Sequence, residues 1–269
     1  MPAVSVIIAV LDAHETLGAA IDSVLSQDFP DFEIVIAPDE PADYSAFAER
    51  DTRIRILEGA PAPTGPGPAR NRALAAAEGA WIALLDADDF WSPGYLGALM
   101  RAAAPAGAAF GRTSVLHEND RELRSIPPQG YHGSANFQVF ARAFGSFHGL
   151  TRRTPDRCWR DLFAEDVLFD LETLSLAGGE APYVPEAVYT LRSRAKSATR
   201  SASFIENVAE HYDTIIDMII QGRTMIGSPH HAAAVAVFES WAAMNASFLQ
   251  ASAASPGLRY QSYIFSLKL

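Results

Sequence analysis

The sequence has one cysteine in 269 residues, so no internal disulfide can staple it, and Cys158 suits a reducing compartment. A lone thiol is more often a small buried hydrophobe than a nucleophile, and Cys158 is given no catalytic role. Lysine is nearly absent: Lys196 and Lys268 are the only two, and arginine supplies the rest of the 21 basic residues. Genome composition accounts for that bias. Positive charge is short overall, with a net charge of −11, which argues against nucleic-acid binding through a basic surface. An anionic small substrate is not excluded, because local charge decides that. No apolar run reaches the ~18–20 residues that cross a bilayer; the run from Ala232 to Phe238 is short and meets Glu239. The N-terminus enters a strand-like segment with no charged leader, which predicts no secretory signal. The expectation is a soluble, cytoplasmic protein, at most peripheral to the inner face of a membrane, with no transmembrane segment. There is no internal repeat and no low-complexity tract beyond alanine richness.

What is present is an alternation of strands and helices. Val4 to Val10 is a continuous β-branched run, the signature of a strand buried on both faces. Leu17, Ile21, Val24 and Leu25 recur at helical spacing and predict a helix over about 14–27. Strands follow at 32–37 and 54–57, then a Pro/Gly-rich loop at 59–68. A helix is predicted from Ala69 to Glu78 with Gly79 as its C-cap, and then a buried strand from Trp81 to Leu85. Ser92 and Pro93 read as the N-cap and first residue of another helix. Further on, the pattern predicts a strand over 106–116, a polar loop over 117–134, and a strand over 147–153. A helix from Glu165 to Leu176 ends at Gly178-Gly179, and a strand follows near 183–189. Residues 192–203 read as a basic loop, with two helices near 204–221 and 230–250. This order predicts an α/β fold: a Rossmann-like, mostly parallel sheet with helices on both faces and a C-terminal helical extension. Such sheets bind ligands at the carboxyl ends of their strands.

Asp86, Asp88 and Asp89 place three carboxylates at one such strand end. Two like charges a few ångströms apart repel by ~3–4 kcal/mol at an effective dielectric of 20. A divalent cation relieves that repulsion, and hard oxygen ligands favour Mg²⁺ or Mn²⁺ over zinc. A solvated acidic turn is the competing reading of the cluster alone. Glu165 and Asp166 at a helix start would by themselves serve the helix dipole. His148 before Gly149 reads as a structural histidine more readily than as an acceptor contact.

Taken in order, Val4 to Asp12, Phe32 to Asp39, Gly67 to Leu74 with its Ala69-Arg70-Asn71, and Glu78 to Asp89 resemble the family 2 glycosyltransferases, which have the GT-A fold. Glu165-Asp166 resembles that family's "ED" motif, and Leu191 to Arg194 sits where a "YRxH"-like segment is usual. The resemblance covers about residues 3–200. It implies a metal-dependent enzyme that moves a sugar from a nucleotide-diphosphate sugar, most often a UDP-sugar, to a hydroxyl acceptor with inversion. Bacterial surface polysaccharide or glycolipid synthesis is the implied setting, and a carbohydrate or lipid-linked molecule the implied acceptor. Position by position, Ala9 and Val10 would line the base pocket through backbone, and Asp39 would hydrogen-bond the base. Arg70 would lie near the nucleotide, Asp86 would face the ribose, and Asp88 would hold Mn²⁺ or Mg²⁺ in the D-x-D motif. Asp166, with Glu165 beside it, would take the acceptor proton. Two departures stand out. Pro38-Asp39 keeps one acid where two are usual, and Arg194 replaces a histidine, cannot ligate a metal, and would pair with the diphosphate instead.

The implied units are a catalytic domain over 1–200, with a nucleotide-sugar half to about 100 and an acceptor half beyond it, and a helical extension over 201–269. The extension has apolar helix faces to bury, against the catalytic domain or a second copy in a homodimer. Two other readings stay open. A nucleotidyltransferase would want a Gly-rich, lysine-bearing loop after the first strand, where Leu11-Asp12-Ala13-His14 stands. A catalytically silent sugar-nucleotide-binding protein is the other.

Overall fold

The computed structural model describes residues 1–117, 121–193, 204–255 and 257–266. Its first unit is β1 (Val4–Val10), α1 (Leu17–Leu25), β2 (Phe32–Pro38), β3 (Ile54–Ile56), α2 (Pro66–Ala76) and β4 (Trp81–Leu84). β1 lies parallel between β2 and β4, and β3 adds in parallel to β2. Val4, Val6, Ile7, Ile8 and Val10 are all buried, as expected for a strand covered on both faces. Leu17, Ile21 and Val24 of α1 cover one face; Ala73 and Ala77 at the other face pack with Ile7, Val35 and Leu84.

Two local expectations fail here for identifiable reasons. α2 begins at Pro66, inside the segment expected to be loop. Proline has no N–H to lose in a first helical turn and its φ suits one, so Pro66-Gly67-Pro68 forms that turn. Gly79 does not cap the helix. A Cβ there would lie 2.6 Å from the Ser5 nitrogen, so its glycine serves the close approach of the chain to β1.

The chain continues through β5 (Phe90–Trp91), α3 (Tyr95–Ala106), β6 (Ala108–Leu116), β7 (Glu122–Ile126), β8 (Ala135–Asn136), α4 (Phe137–Ala143) and β9 (Gly149–Arg152). Then come α5 (Glu165–Leu176), β10 (Glu180–Ala181), β11 (Tyr183–Arg192), α6 (Phe204–Ile220), α7 (His231–Ala254) and α8 (Tyr260–Ser266). The main sheet runs β3-β2-β1-β4-β9-β6-β11-β5, with β7 also paired to β6. The parallel order of the first half gives way to a mixed one: β9 is antiparallel to β4 and β6, whereas β11 is parallel to β6. The expected loop over 117–134 contains β7, and α4 was not foreseen. Ser92 is not a helix cap. Its hydroxyl accepts the Val188 N–H at 3.0 Å, tying β5 to β11, and Gly94 (φ +73°) precedes α3 instead.

The C-terminal helices share a buried cluster with the second half. Tyr212, Ile215 and Ile219 of α6 and Val237, Phe238 and Trp241 of α7 pack with Phe110, Phe140, Phe147, Val167 and Leu171. The Trp241 indole donates to the Phe140 carbonyl at 2.9 Å. The helical stretch Ser228–Ala254 is long and apolar enough to cross a membrane by length and composition, with an 18-residue window of mean hydropathy 1.3. A core helix passes the same test, and the face bearing Ala234, Val237, Phe238 and Trp241 is buried here.

Candidate active site

Because β1 is parallel to both neighbours, their C-terminal ends reach one edge of the sheet. A cleft of about 370 Å³ opens there. Ala9 and Val10 at the end of β1, Asp39 just past β2, Arg70 on α2, and Asp86 and Asp88 after β4 all line it. Six of the expected site residues therefore share one cavity. Glu165 and Asp166 approach it from α5, while Arg194 lies outside the described residues.

Arg70 joins the two groups. Its guanidinium is buried and donates to Asp86 Oδ1 at 2.6 Å and to Glu165 Oε1 at 2.5 Å. Burial works against that cation, but Asp86 and Glu165 outweigh it and hold the charge in place. Burial likewise opposes charge on Asp86, and Arg70 overcomes it, leaving the carboxyl below its ordinary range. Glu165 goes the other way: burial, helped by Asp166 and only partly opposed by Arg70, pushes it up to about 7. Gly67 lets this happen, since a Cβ there would meet the Arg160 carbonyl at 2.4 Å and hold off the segment leading to α5.

Asp39 is buried and largely occupied. Its Oδ2 accepts the N–H groups of Thr64 and Gly65, each at 2.8 Å, and its Oδ1 accepts the Thr64 hydroxyl at 2.6 Å. Arg72 stands 3.5 Å away. A carboxylate has about four acceptor positions, so Asp39 pins the 59–65 loop against the cleft and keeps little spare capacity.

The three acids after β4 have different surroundings. The Asp89 N–H closes a turn onto the Asp86 carbonyl at 3.1 Å. The Tyr189 hydroxyl accepts the Asp86 N–H at 3.0 Å and donates to Asp89 Oδ2 at 2.9 Å, while Asp89 Oδ1 accepts the Arg192 N–H at 2.8 Å. Burial, reinforced by Asp86 and Asp88, pushes the Asp89 carboxyl well above the usual range. Asp89 is thus a tie between the turn and β11, and Asp88 and Asp86 are the acids facing the cleft. Among the described residues no three His, Cys, Asp or Glu side chains converge as a closed metal cage. Mg²⁺ and similar hard cations keep several waters and take one or two carboxylates plus substrate phosphates. The oxygen donors of Asp88 and Asp86 fit that demand.

Asp166 is half-buried in the first turn of α5, after Ala164 in a left-handed conformation (φ +61°). Its Oδ2 accepts the Ser146 hydroxyl. Behind it lies His148, buried, with Nδ1 3.6 Å from Asp170 Oδ2 and its ring edge-on to Tyr189 at 5.0 Å. Burial alone would lower the imidazole, but Asp170 first, then Asp166 and Asp86, carry it up to about 9. Asp170 is itself raised to about 6 by burial, with His148 opposing. His148 therefore faces Asp170, beside acids that raise its affinity for a proton. Sequence reasoning missed Asp170 and Tyr189. One signal was available: Asp170 sits three residues after Val167 and four before Leu174, on the buried stripe of the helix, where an acid needs a partner.

The chain is similar in sequence and in fold to known glycosyltransferases. The chain is 26% identical over 82% of its length to the putative glycosyltransferase EpsH of Bacillus subtilis. It is 31% identical over 47% of its length to WfgD of Escherichia coli, a UDP-Glc:α-D-GlcNAc-diphosphoundecaprenol β-1,3-glucosyltransferase. These matches cover 63% and 51% of the relatives' own lengths. Among solved structures, S. aureus TarS in complex with UDP-GlcNAc superposes with a TM-score of 0.70 at 20% identity, covering 97% of this chain and 77% of that one. The mannosyltransferase PcManGT of Pyrobaculum calidifontis, solved with GDP-Man and Mn²⁺, gives 0.60 at 17% identity, over 96% and 76%. The fold is thus that of the GT-A glycosyltransferases. Residues 5–155 match the sequence profile of glycosyl transferase family 2, and the chain belongs to that family.

Proposed function

We propose that this chain is an inverting glycosyltransferase that moves a sugar from a nucleotide-diphosphate sugar, with UDP as the favoured nucleotide, to an acceptor hydroxyl. Residues 1–200 form the catalytic unit on this reading, and 201–269 the helical extension. One observation carries it: Ala9, Val10, Asp39, Arg70, Asp86 and Asp88 line a single cleft, and Arg70 links that cleft to Glu165 beside Asp166. The diphosphoundecaprenol acceptor named for the E. coli relative supports a lipid-linked acceptor, and with it work at the inner membrane face in surface polysaccharide or glycolipid synthesis.

Backbone from Ala9 and Val10 and the loop pinned by Asp39 shape the base pocket. Asp86 is positioned toward the ribose by Arg70 and by the Tyr189 hydroxyl on its N–H. Asp88 would hold Mn²⁺ or Mg²⁺, which when bound supplies Lewis-acid stabilisation of the charge growing on the departing diphosphate. Asp166 accepts the acceptor proton as the hydroxyl attacks; a single displacement needs only one such base and inverts the anomeric carbon, as in inverting glycosidases. Glu165, buried on Arg70, is the positioning residue. Arg194 would face the diphosphate on this reading.

The test is the full chain against a panel of nucleotide sugars, reading donor turnover with Mn²⁺ and with EDTA. Calorimetry should show UDP binding strengthened by Mn²⁺ in the wild type and unaffected by it in Asp88→Ala, with thermal unfolding unchanged. Equal UDP affinity with metal and with EDTA in the wild type removes the cation from the mechanism. No donor turnover across the panel removes the enzyme reading.

A further inference from the structure

A second cavity, of about 290 Å³, lies between β7, the turn after it, and α4. It shares no lining residue with the cleft. In a chain of net charge −11, its wall contains Arg124 and Arg142 and, among the described residues, no acid. Arg142, in the last turn of α4, is exposed and has no ion pair among the described residues. Arg124 is held by the carbonyls of Ala143 and Phe144, which fix its position, and among the described residues no carboxylate pairs with it. Burial pulls that guanidinium down to about 10, the sign of a cation taken from water without an acid partner. The described wall also carries apolar surface from Pro127, Pro128 and Val139 and the Tyr131 ring, alongside the polar Ser125, Asn136 and Gln138. The cavity therefore offers two positive groups beside apolar surface.

Its position relative to the site gives that chemistry a use. Ala143 lines the cavity, and Ser146, three residues on, donates to Asp166. At ~3.8 Å per residue, at most about 11 Å of chain separates them. From this placement we infer that the cavity between β7 and α4 is an acceptor subsite for a phosphate or diphosphate joined to an apolar group. It would hold the anionic end of the acceptor while a sugar hydroxyl reaches Asp166. The inference rests on the glycosyl-transfer reading for its purpose, but the binding it asserts can be measured without turnover.

The probe is farnesyl diphosphate, titrated into the full chain at fixed ionic strength with EDTA, so that no cation draws it to the D-x-D turn. The wild type should bind it. Arg142→Glu should weaken binding about tenfold or more, the size of one charge-assisted hydrogen bond, and Arg142→Lys should keep part of it. UDP affinity measured with Mn²⁺ should be the same in all three proteins, which separates this subsite from the donor site. Arg142 is exposed, so the fold does not depend on it, whereas Arg124→Gln serves only as a second variant whose folding is checked by its unfolding temperature. Inorganic diphosphate competing at similar concentration would assign the site to a free phosphate ligand. Competition only by the farnesylated form would assign it to a lipid-linked one. Equal binding by wild type and Arg142→Glu, or farnesol binding as tightly as its diphosphate, would overturn the inference. Normal UDP binding beside a failed farnesyl diphosphate titration would sink the subsite and leave the proposed function standing.

Discussion

β1 and α5 are both buried along nearly their whole length, and they stay buried by different means. β1 packs Val4, Val6, Ile7, Ile8 and Val10 into the core, and its one polar side chain, Ser5, meets Glu33 at 2.6 Å on the adjacent strand. α5 buries Glu165, Asp170 and Glu172 among its leucines. Each acid meets a cation from another segment: Arg70 of α2 at 2.5 Å, His148 before β9 at 3.6 Å, and Arg157 at 3.5 Å. The last two are charge neighbours at distances too long for good hydrogen bonds, and Asp170 Oδ2, Glu172 Oε2 and Arg157 Nε have no hydrogen-bond partner among the described residues. The apolar strand needs only volume filled around it. The helix needs three particular side chains to arrive, and it carries the expected base on the same turn as the first of its buried acids.

The contrast can be broken most severely at that turn. Asp166→Asn preserves shape but cannot take a proton, so turnover should fall by ~10²–10⁴ while calorimetric UDP affinity stays put. If turnover holds, the acid of that turn is there for the helix end alone.

Next in size is the charge network itself. Arg157→Met leaves Glu172 buried with, among the described residues, only the Met225 N–H at 3.0 Å and distant Arg160, and should cost about 3–5 kcal/mol in denaturant unfolding. The double variant Arg157→Met/Glu172→Met should recover much of the loss, because two apolar side chains leave no orphan charge.

A smaller effect should follow pH. His148 is raised from 6.5 to about 9 by the acids that face it, namely Asp170 and Asp166 on α5 and Asp86 beyond β4, with Tyr189 of β11 against its ring. The folded chain thus binds that proton more tightly than the unfolded one. The associated stability is fully present below pH 6.5 and is lost as pH rises through about 9. Glu165 and Asp170, raised to about 7 and about 6, have the same sign but finish lower. Unfolding temperature should drop by a few degrees between pH 6.5 and 9.5, at ~2–4 °C per kcal/mol, and His148→Gln should flatten that slope. A wild type equally stable at both ends would mean the imidazole is not held charged.

The mildest test is on the strand. Ile7→Val removes one methylene from a fully buried position and should cost only ~0.5–1.5 kcal/mol by chemical denaturation, with activity kept.

What could be read in advance follows the same division. β1, β2 and β4 announce themselves because strands buried on both faces must be apolar at every position. The Asp86–Asp89 turn, Asp39 and Arg70 are legible because each sits in a local pattern at a strand or helix end. α4 was hidden by its length: Phe137, Phe140 and Ala143 make only two turns, although Asn136 caps them by accepting the Val139 N–H at 3.1 Å. β7 was hidden because Arg124 and Glu122 make it polar on a sheet edge. Gly79 misled because a glycine after a helix has two uses, and only the position of β1 tells them apart. Tyr189, His148 and Asp170 lie in no local motif. They converge because the order β4-β9-β6-β11 folds distant segments together, a fact no window along the chain contains.

The direction in which a ribosome works gives the network on α5 one more meaning. Arg70, His148 and Arg157 are all synthesised before Glu165, Asp170 and Glu172 exist. A nascent chain that has passed residue 157 already has Asp86 for Arg70, but holds His148 and Arg157 without the α5 acids that will face them. The docking of α5 supplies Asp170 and Glu172 to those two cations and a second carboxylate to Arg70, and the same helix brings Asp166.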